Sequence, residues 1–320
     1  MDFCVAGKTC QQARPMSKVA PMNRLQESLH LLYSISRFHI VMIGALGTLT
    51  FTWVFSGHYL PILVFYSALD WFLVNIMNRV VDLPEDRTNH IHGTDFVARN
   101  ARIILVLALL LLLGSLVLTA THSLALVALR CGFHGLGFAY NWRLPGFKRR
   151  LKEYYFWKNS ASACGFILTV FLYPLSQMGW GLQPNLLASD ITLWSIGCAL
   201  IFFVLFEISY EVIYDLRDVV GDRQIKAQTY AVVHGEVGAA IVVQGCIATS
   251  LAVLVLGYGV GMVPWRLAVM GAAPLLQWIL FRRWFRRGIV PRDCIVLTWI
   301  GASMLLAYHL WIGLGLPLEL

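Results

Sequence analysis

The sequence predicts an all-α membrane protein, with nine transmembrane helices around a central cavity open to the cytoplasmic side. Three observations predict it. First, 58% of the 320 residues are hydrophobic and only 13% are charged, against about 45–50% and about 25% in soluble domains. With a mean hydropathy of +0.68, this excludes an ordinary soluble enzyme, a disordered chain and a disulfide-stapled secreted module. Second, nine apolar runs are near the length of about 20 residues that crosses a bilayer. Third, the basic residues gather in alternate connecting segments, so that nearly all fall on one side of these runs.

Residues 1–32 are polar and carry both charge signs. They lack the apolar core of a signal peptide and read as a cytoplasmic tail, with a transit sequence as the alternative. Residues 33–320 then form a single transmembrane domain. The runs fall at 33–56, 57–77, 101–120, 123–140, 157–177, 191–214, 236–260, 264–282 and 293–314. Residues 33–77 are one long stretch, split by a tight turn at Gly57, His58 and Pro61. With the N-terminus in the cytoplasm, only Arg130 and Arg266 of the 25 Lys and Arg fall outside the inside segments, as the positive-inside rule requires. A net charge of +8 then reflects loops held against anionic lipid. No basic run is interleaved with aromatics on a soluble domain, so no nucleic-acid partner is expected. The seven cysteines, Cys4, Cys10, Cys131, Cys164, Cys198, Cys246 and Cys294, form no CxxC pair. They read as small buried hydrophobes.

Chemistry concentrates in two inside loops. One reads Asn78-Arg-Val-Val-Asp82-Leu-Pro-Glu-Asp86-Arg87, the other Tyr214-Asp215-Leu-Arg-Asp218-Val-Val-Gly-Asp222-Arg223. Residues four apart share a helix face, so Asp82 with Asp86, and Asp218 with Asp222, can each present two carboxylates in one direction. Gathered like charges repel unless a counter-charge holds them. Magnesium is the hard cation that bridges carboxylates to phosphates while keeping several waters. Arg79, Arg87, Arg143, Lys152 and Arg223 would complete a diphosphate site. The competing explanation is a pair of solvated polar loops. Against it, seven of only 17 acids lie in or beside these two loops.

These motifs resemble those of the UbiA superfamily of intramembrane prenyltransferases, over roughly residues 33–314. The first motif, of the form Asn-Asp-x-x-Asp-x-x-x-Asp, is matched by Asn78, Asp82 and Asp86, with Arg79 where an Asp is usual. The second is matched by Tyr210, Asp215, Asp218, Gly221, Asp222 and Arg223, with Tyr214 in place of a common Lys. Thr229, Val232 and Gly235 are similar to the Thr-x-x-Val-x-x-Gly that follows. Tyr140, Pro145, Leu151-Lys152 and Lys158-Asn159 are similar to the loop after the fourth span, and Arg37-Phe-His39 faintly resembles an Arg-Pro-His of the first helix. The resemblance implies that Asn78, Asp82 and Asp86 bind one magnesium and Asp218 and Asp222 another, with Asp215 in support. It implies that Lys152 contacts an isoprenyl diphosphate, assisted by Arg79, Arg143 or Arg223, and that Asn159 and Tyr140 line the cavity near the reacting carbon. Tyr210, Tyr214 and Tyr140 would offer electron-rich faces to an allylic cation.

The activity implied is transfer of the prenyl group to a small-molecule acceptor, aromatic or lipid. The alternative within the superfamily is cyclisation of the chain to a terpene, and the alternative outside it is a transporter. A transporter should show inverted repeats and broken helices at mid-depth, and no such repeat is visible.

Other ionisable residues lie inside spans, where each is a functional hypothesis by default. Asp70 and Arg130 lie at similar depth and can pair, with acceptor recognition or cation steering as the competing role. Glu207 and Glu211 precede Asp215 at four-residue steps and share its face of the helix. One could act as a base, and hydrogen bonding to neighbouring helices is the alternative. His134, in Gly132-Phe-His134-Gly135-Leu-Gly137, reads as a packed hydrogen-bonder.

Overall fold

A computed structural model describes residues 23–88, 91–224 and 227–315. Among these residues there is no strand. The helices are α1 (Arg24–Ser36), α2 (Phe38–Ser56), α3 (Pro61–Val81), α4 (Leu83–Thr88), α5 (Thr94–Ala120), α6 (Leu124–Asn141), α7 (Trp157–Phe166), α8 (Tyr173–Gln177), α9 (Leu193–Gln224), α10 (Tyr230–Gly259), α11 (Trp265–Ala268), α12 (Ala272–Phe285) and α13 (Pro291–Gly313).

Seven segments are long and apolar enough to cross a membrane: Phe38–Ser56, Pro61–Val81, Thr94–Ala120, Trp157–Gln177, Leu193–Arg223, Tyr230–Gly259 and Pro291–Gly313. The expected runs at 123–140 and 264–282 are also helical, as α6 and as α11 and α12 joined by a 3₁₀ turn at Val269–Gly271. The 14 residues of α12 rise only about 21 Å, short of a hydrocarbon core of about 30 Å.

The expected boundary at 32/33 falls inside α1. An Asn23/Gln26 capping box starts this helix, and its C-cap Arg37 adopts a left-handed conformation at φ 48° that begins α2 in a new direction. The turn between α2 and α3 is as expected, with Gly57 at φ 73° and Pro61 as the first residue of α3. A π-helical stretch, Ile167–Leu172, joins α7 to α8. The outer face of α5 exposes Leu107, Leu110, Leu111, Leu113 and Val117. Hydrocarbon is the environment in which such a face costs nothing. Cys294 is buried, whereas Cys131 and Cys164 lie on exposed helix faces rather than in the core. Cys4 and Cys10 lie outside the described residues.

α2 packs against α3 and α13, α3 against α5, and α9 along α10. One polar cluster pins α3, α5, α6 and α8 together. Arg130 Nη2 donates to Asp70 Oδ1 at 2.6 Å and Nε to Oδ2 at 2.9 Å. Its remaining donors reach the Ser115 carbonyl at 3.0 Å, Thr119 Oγ1 at 2.6 Å and Ser115 Oγ at 2.9 Å. His134 Nε2 meets Asp70 Oδ1 at 2.9 Å, and Tyr173 donates to Oδ2 at 2.7 Å. Asp70 and Arg130 are both 0% exposed. The pair is therefore mutual and internally satisfied, and none of its members faces the cavity described below.

Breaking one side of a buried pair strands the other charge at a cost of about 3–5 kcal/mol. Asp70→Asn and Arg130→Met are each expected to lower the thermal midpoint of the detergent-solubilised protein by several degrees. A midpoint unchanged in both would show that the cluster is not a structural anchor.

Candidate active site

The helices enclose a cavity of about 1150 Å³. Along α9 its lining runs from Asp222 and Asp218 to Phe203 and Phe202. The 16 residues from Asp218 to Phe202 correspond to a depth of about 24 Å. The lining changes character along this path. Charged side chains crowd the mouth, and aromatic side chains wall the interior.

The first acidic set is built across a helix break. α3 ends at Val81, Asp82 caps it at φ −88°, ψ 17°, and the Asp86 amide returns to the Asp82 carbonyl at 2.8 Å. Asp82 and Asp86 thus face the cavity from two short-linked helices rather than from one. Both are buried, as are Asn78, Arg79 and Lys152. Lys152 Nζ donates to Asp82 at 2.5 Å and reaches Glu85 at 3.4 Å. Arg150 lies 3.5 Å from Asp82 and 3.0 Å from Glu85. Arg79 pairs with Asp86 and donates to the His92 carbonyl at 2.9 Å. Burial holds the Asp86 carboxyl above its ordinary range, against the opposing pull of Arg37 and Arg79.

The second set lies on one continuous helix, α9. Asp215 and Asp222 are seven residues, almost two turns, apart and so share a face. Both form ion pairs with Lys158, at 2.9 Å each. Asn159 donates to Asp215 at 2.8 Å. Asp218 lines the cavity too but is paired with its neighbour Arg217. Phe156 presents Lys158 and Asn159 by entering α7 at φ 71°, ψ −35°. A non-glycine residue held there stores backbone strain of the sort that gathers at functional sites.

Of the expected residues, Asn78, Arg79, Asp82, Asp86, Tyr140, Lys152, Tyr210, Glu211, Tyr214, Asp215, Asp218 and Asp222 all line the cavity. Three do not. Arg143 is exposed and its Nε donates to the Phe147 carbonyl at 2.9 Å, which turns it back onto its own loop. Arg223 is exposed at the end of α9, one residue past the face that carries Asp222. Asn159 is buried behind Asp215, outside the cavity lining. Conversely, Lys158, Arg217 and Arg37 face the cavity without having been singled out as site residues. The Lys158-Asn159 pair and the Arg37-x-His39 pattern were the signals available for two of them.

Among the described residues, no three His, Cys, Asp or Glu side chains stand together as a ready-made metal cage. The donor set still suits a hard divalent cation. Asn78 Oδ1 is a buried oxygen with no hydrogen-bond partner, four residues before Asp82, and magnesium takes one or two carboxylates and fills its shell with water and phosphate oxygen.

Below the mouth, Lys152 lies over the Tyr140 ring at 5.7 Å and Arg217 over Tyr214 at 4.7 Å. Tyr214 reaches Thr298 of α13 at 2.8 Å, and Tyr210 shares the same hydroxyl. Deeper, Trp71 packs against Phe166 at 4.2 Å and Phe133 at 5.2 Å. The Trp71 indole is fixed by its bond to Thr169 Oγ1 at 3.0 Å, a residue of the π-helical stretch.

Fold and site together define an all-helical bundle of membrane-crossing length, with two acidic helical segments over an aromatic cavity. The model of the UbiA prenyltransferase family matches residues 38–307, and the chain belongs to that family. Among solved structures, a UbiA homolog from Archaeoglobus fulgidus bound to GPP and Mg2+ is similar with a TM-score of 0.64 at 15% identity, covering 88% of this chain and 97% of its own. The same homolog bound to DMAPP and Mg2+ gives 0.62 at 15% identity with the same coverage. A digeranylgeranylglyceryl phosphate synthase structure gives 0.55 at 14% identity, covering 88% of this chain and 95% of its own. At these identities the likeness is one of fold. No curated protein sequence matches the chain. Family membership and the seven apolar helices mark the chain as an integral membrane protein.

The Trp71 wall depends on a close approach. A Cβ added to Gly44 would lie 2.5 Å from Trp71 Cδ1, whereas one added to Gly114 would meet nothing within 4 Å. Gly44→Ala is expected to displace the indole and lower the thermal midpoint, with Gly114→Ala unchanged. Trp71 fluorescence, read as the difference from Trp71→Phe, checks the displacement, and equal behaviour of the two glycine variants would contradict it.

Proposed function

We propose that the chain binds an isoprenyl diphosphate at the cavity mouth, ionises it with magnesium, and transfers the prenyl group to a small-molecule acceptor, aromatic or lipid. The observation that carries this proposal is the stacking of a charged mouth on a deep aromatic cavity. A diphosphate needs the first and an allylic chain needs the second.

Asn78, Asp82 and Asp86 would hold one magnesium and Asp218 and Asp222 another, with Asp215 in support. When bound, the metal neutralises charge on the departing diphosphate. Lys152, Lys158, Arg79 and Arg217 sit on the same carboxylates and are free to turn to phosphate oxygens once a cation takes their place. Tyr140, Tyr210 and Tyr214 stand just inside the mouth, where their faces favour positive charge. Glu211, one turn deeper than Asp215, completes the polar lining. The apolar walls exclude water that would quench a carbocation.

The proposal extends to topology. The N-terminus and both acid loops lie on the cytoplasmic side, in keeping with the one-sided placement of the basic residues. α6 and the segment 265–285 complete nine crossings around a cavity that opens to that side. Residues 33–320, beginning within α1, act as one domain, in keeping with a cavity lining that draws on elements from α1 to α13.

Asp82→Ala and Asp218→Ala are each expected to lower magnesium-dependent diphosphate release from GPP by at least about a hundredfold, as for loss of a group that stabilises developing charge. Chelation by EDTA should abolish it. Full turnover by both variants would refute the site assignment. A cyclic hydrocarbon released from the diphosphate alone, without acceptor, would replace transfer with cyclisation.

A further inference from the structure

The inner cavity contains polar groups that neither metal nor diphosphate accounts for. Asp215, Glu211 and Glu207 face it from α9 at four-residue steps. Asp215 is paired with Lys158 and Asn159, and Glu211 accepts from Ser162 at 2.7 Å. Glu207 is only 7% exposed, and its Oε1 has no partner. It lies eight residues, or about 12 Å, deeper along α9 than Asp215. Gln277 of α12 is 2% exposed and also lines the cavity. Its Nε2 donates to Ser209 of α9 at 2.7 Å, while its Oε1 has no partner.

Buried polar atoms almost always find a partner, and an exception calls for an explanation. Here two side chains that line one cavity from different helices each carry a buried oxygen without a partner. A prenyl tail is hydrocarbon and has no N–H or O–H to offer them. The nearest cations, Lys158 and Arg217, are taken up by Asp215, Asp222 and Asp218, so an anionic head group would meet Glu207 and Glu211 with no counter-charge.

We propose that Glu207 and Gln277 form a second-substrate subsite that takes the hydrogen-bond-donating, non-anionic head group, a hydroxyl or an amine, of a co-substrate with an apolar body. This rests on the transfer function proposed above and specifies its acceptor. Glu207 and Gln277 act here as binding groups that orient the acceptor beside the prenyl chain.

The test uses the full chain in detergent and three probes: 4-hexylphenol, hexylamine and hexylbenzene. Wild type is expected to bind at least one of the donor-bearing probes about tenfold or more tighter than hexylbenzene, in line with the penalty for leaving buried polar groups unpaired. Glu207→Leu and Gln277→Leu should each erase most of that preference, while Glu207→Gln, which keeps an acceptor oxygen, should retain it. Hexylbenzene binding should be equal in all four proteins and so reports an intact cavity. If Glu207→Leu loses hexylbenzene as well, it has collapsed, and Gln277→Leu and Glu207→Gln decide. Equal binding of all three probes by wild type, or a donor preference that survives both leucine substitutions, would overturn the proposal, the latter by pointing to cavity water as the partner of these oxygens. Magnesium-dependent binding of GPP, measured on the same wild-type preparation, reports on the diphosphate site alone. Its failure would count against the proposed function, whatever the probes show.

Discussion

A carboxylate buried in a helical bundle of low dielectric must be neutralised by something, and most of this structure is arranged around that requirement. Asp70 meets it with Arg130, Asp82 with Lys152, Asp86 with Arg79, and Asp215 and Asp222 with Lys158. The two kinds of pair differ in what they leave over. Around Asp70 the guanidinium, imidazole and phenol donors converge on both oxygens and on nearby backbone, and the cluster has no face on the cavity. His134 Nδ1 is left without a partner there, but at the mouth the orphaned atoms, Asn78 Oδ1 and Arg79 Nε, belong to residues that line the cavity. A network sealed off from the cavity fixes helices, whereas one that lines it can exchange its cations for a ligand.

Interruptions in the helices deliver the charges to the mouth. The left-handed Arg37 turns α1 away from α2 and brings Arg37 to the cavity. The break at Asp82 separates two acids that a continuous helix would have carried on one rod. The strained Phe156 sets the phase of α7, so that Lys158 faces inward and Asn159 lies behind it. The π-helical stretch at Ile167–Leu172 places Thr169 where it holds the Trp71 indole, a use in keeping with the frequency of such bulges at functional sites. A bundle of uninterrupted helices would present only side chains at regular steps, and it could not gather residues 37, 82, 158 and 222 around one opening.

The paired acids were legible in sequence because their spacing is local. Asp82 with Asp86 and Asp218 with Asp222 read as pairs from four-residue spacing alone, whereas the structure divides the first pair between two helices and joins Asp215, not Asp218, to Asp222 through Lys158. The cations were less legible. Lys152 was found, but Lys158 and Arg217 were passed over in favour of Arg143 and Arg223. Nothing in a linear pattern distinguishes a basic residue facing the cavity from one a residue away facing out, because adjacent helical positions differ by about 100°. Asn159 shows the same difficulty: it follows the inward-facing Lys158 in the chain and donates to Asp215 from behind the cavity wall.

By itself, the sequence determined that this chain belongs in a membrane as an all-helical protein, and that two clusters of acids stand beside its apolar helices, the segments proposed here to carry its chemistry. Composition and short-range periodicity suffice for both, since partitioning into lipid depends on totals and a helix face on spacing. Only the tertiary structure decided which cation answers which carboxylate, that Asp70 and Arg130 pair with each other, and that Glu207 and Gln277 line one cavity. Those facts depend on contacts between helices far apart in the chain, and on the few residues of irregular backbone that set each helix's rotation.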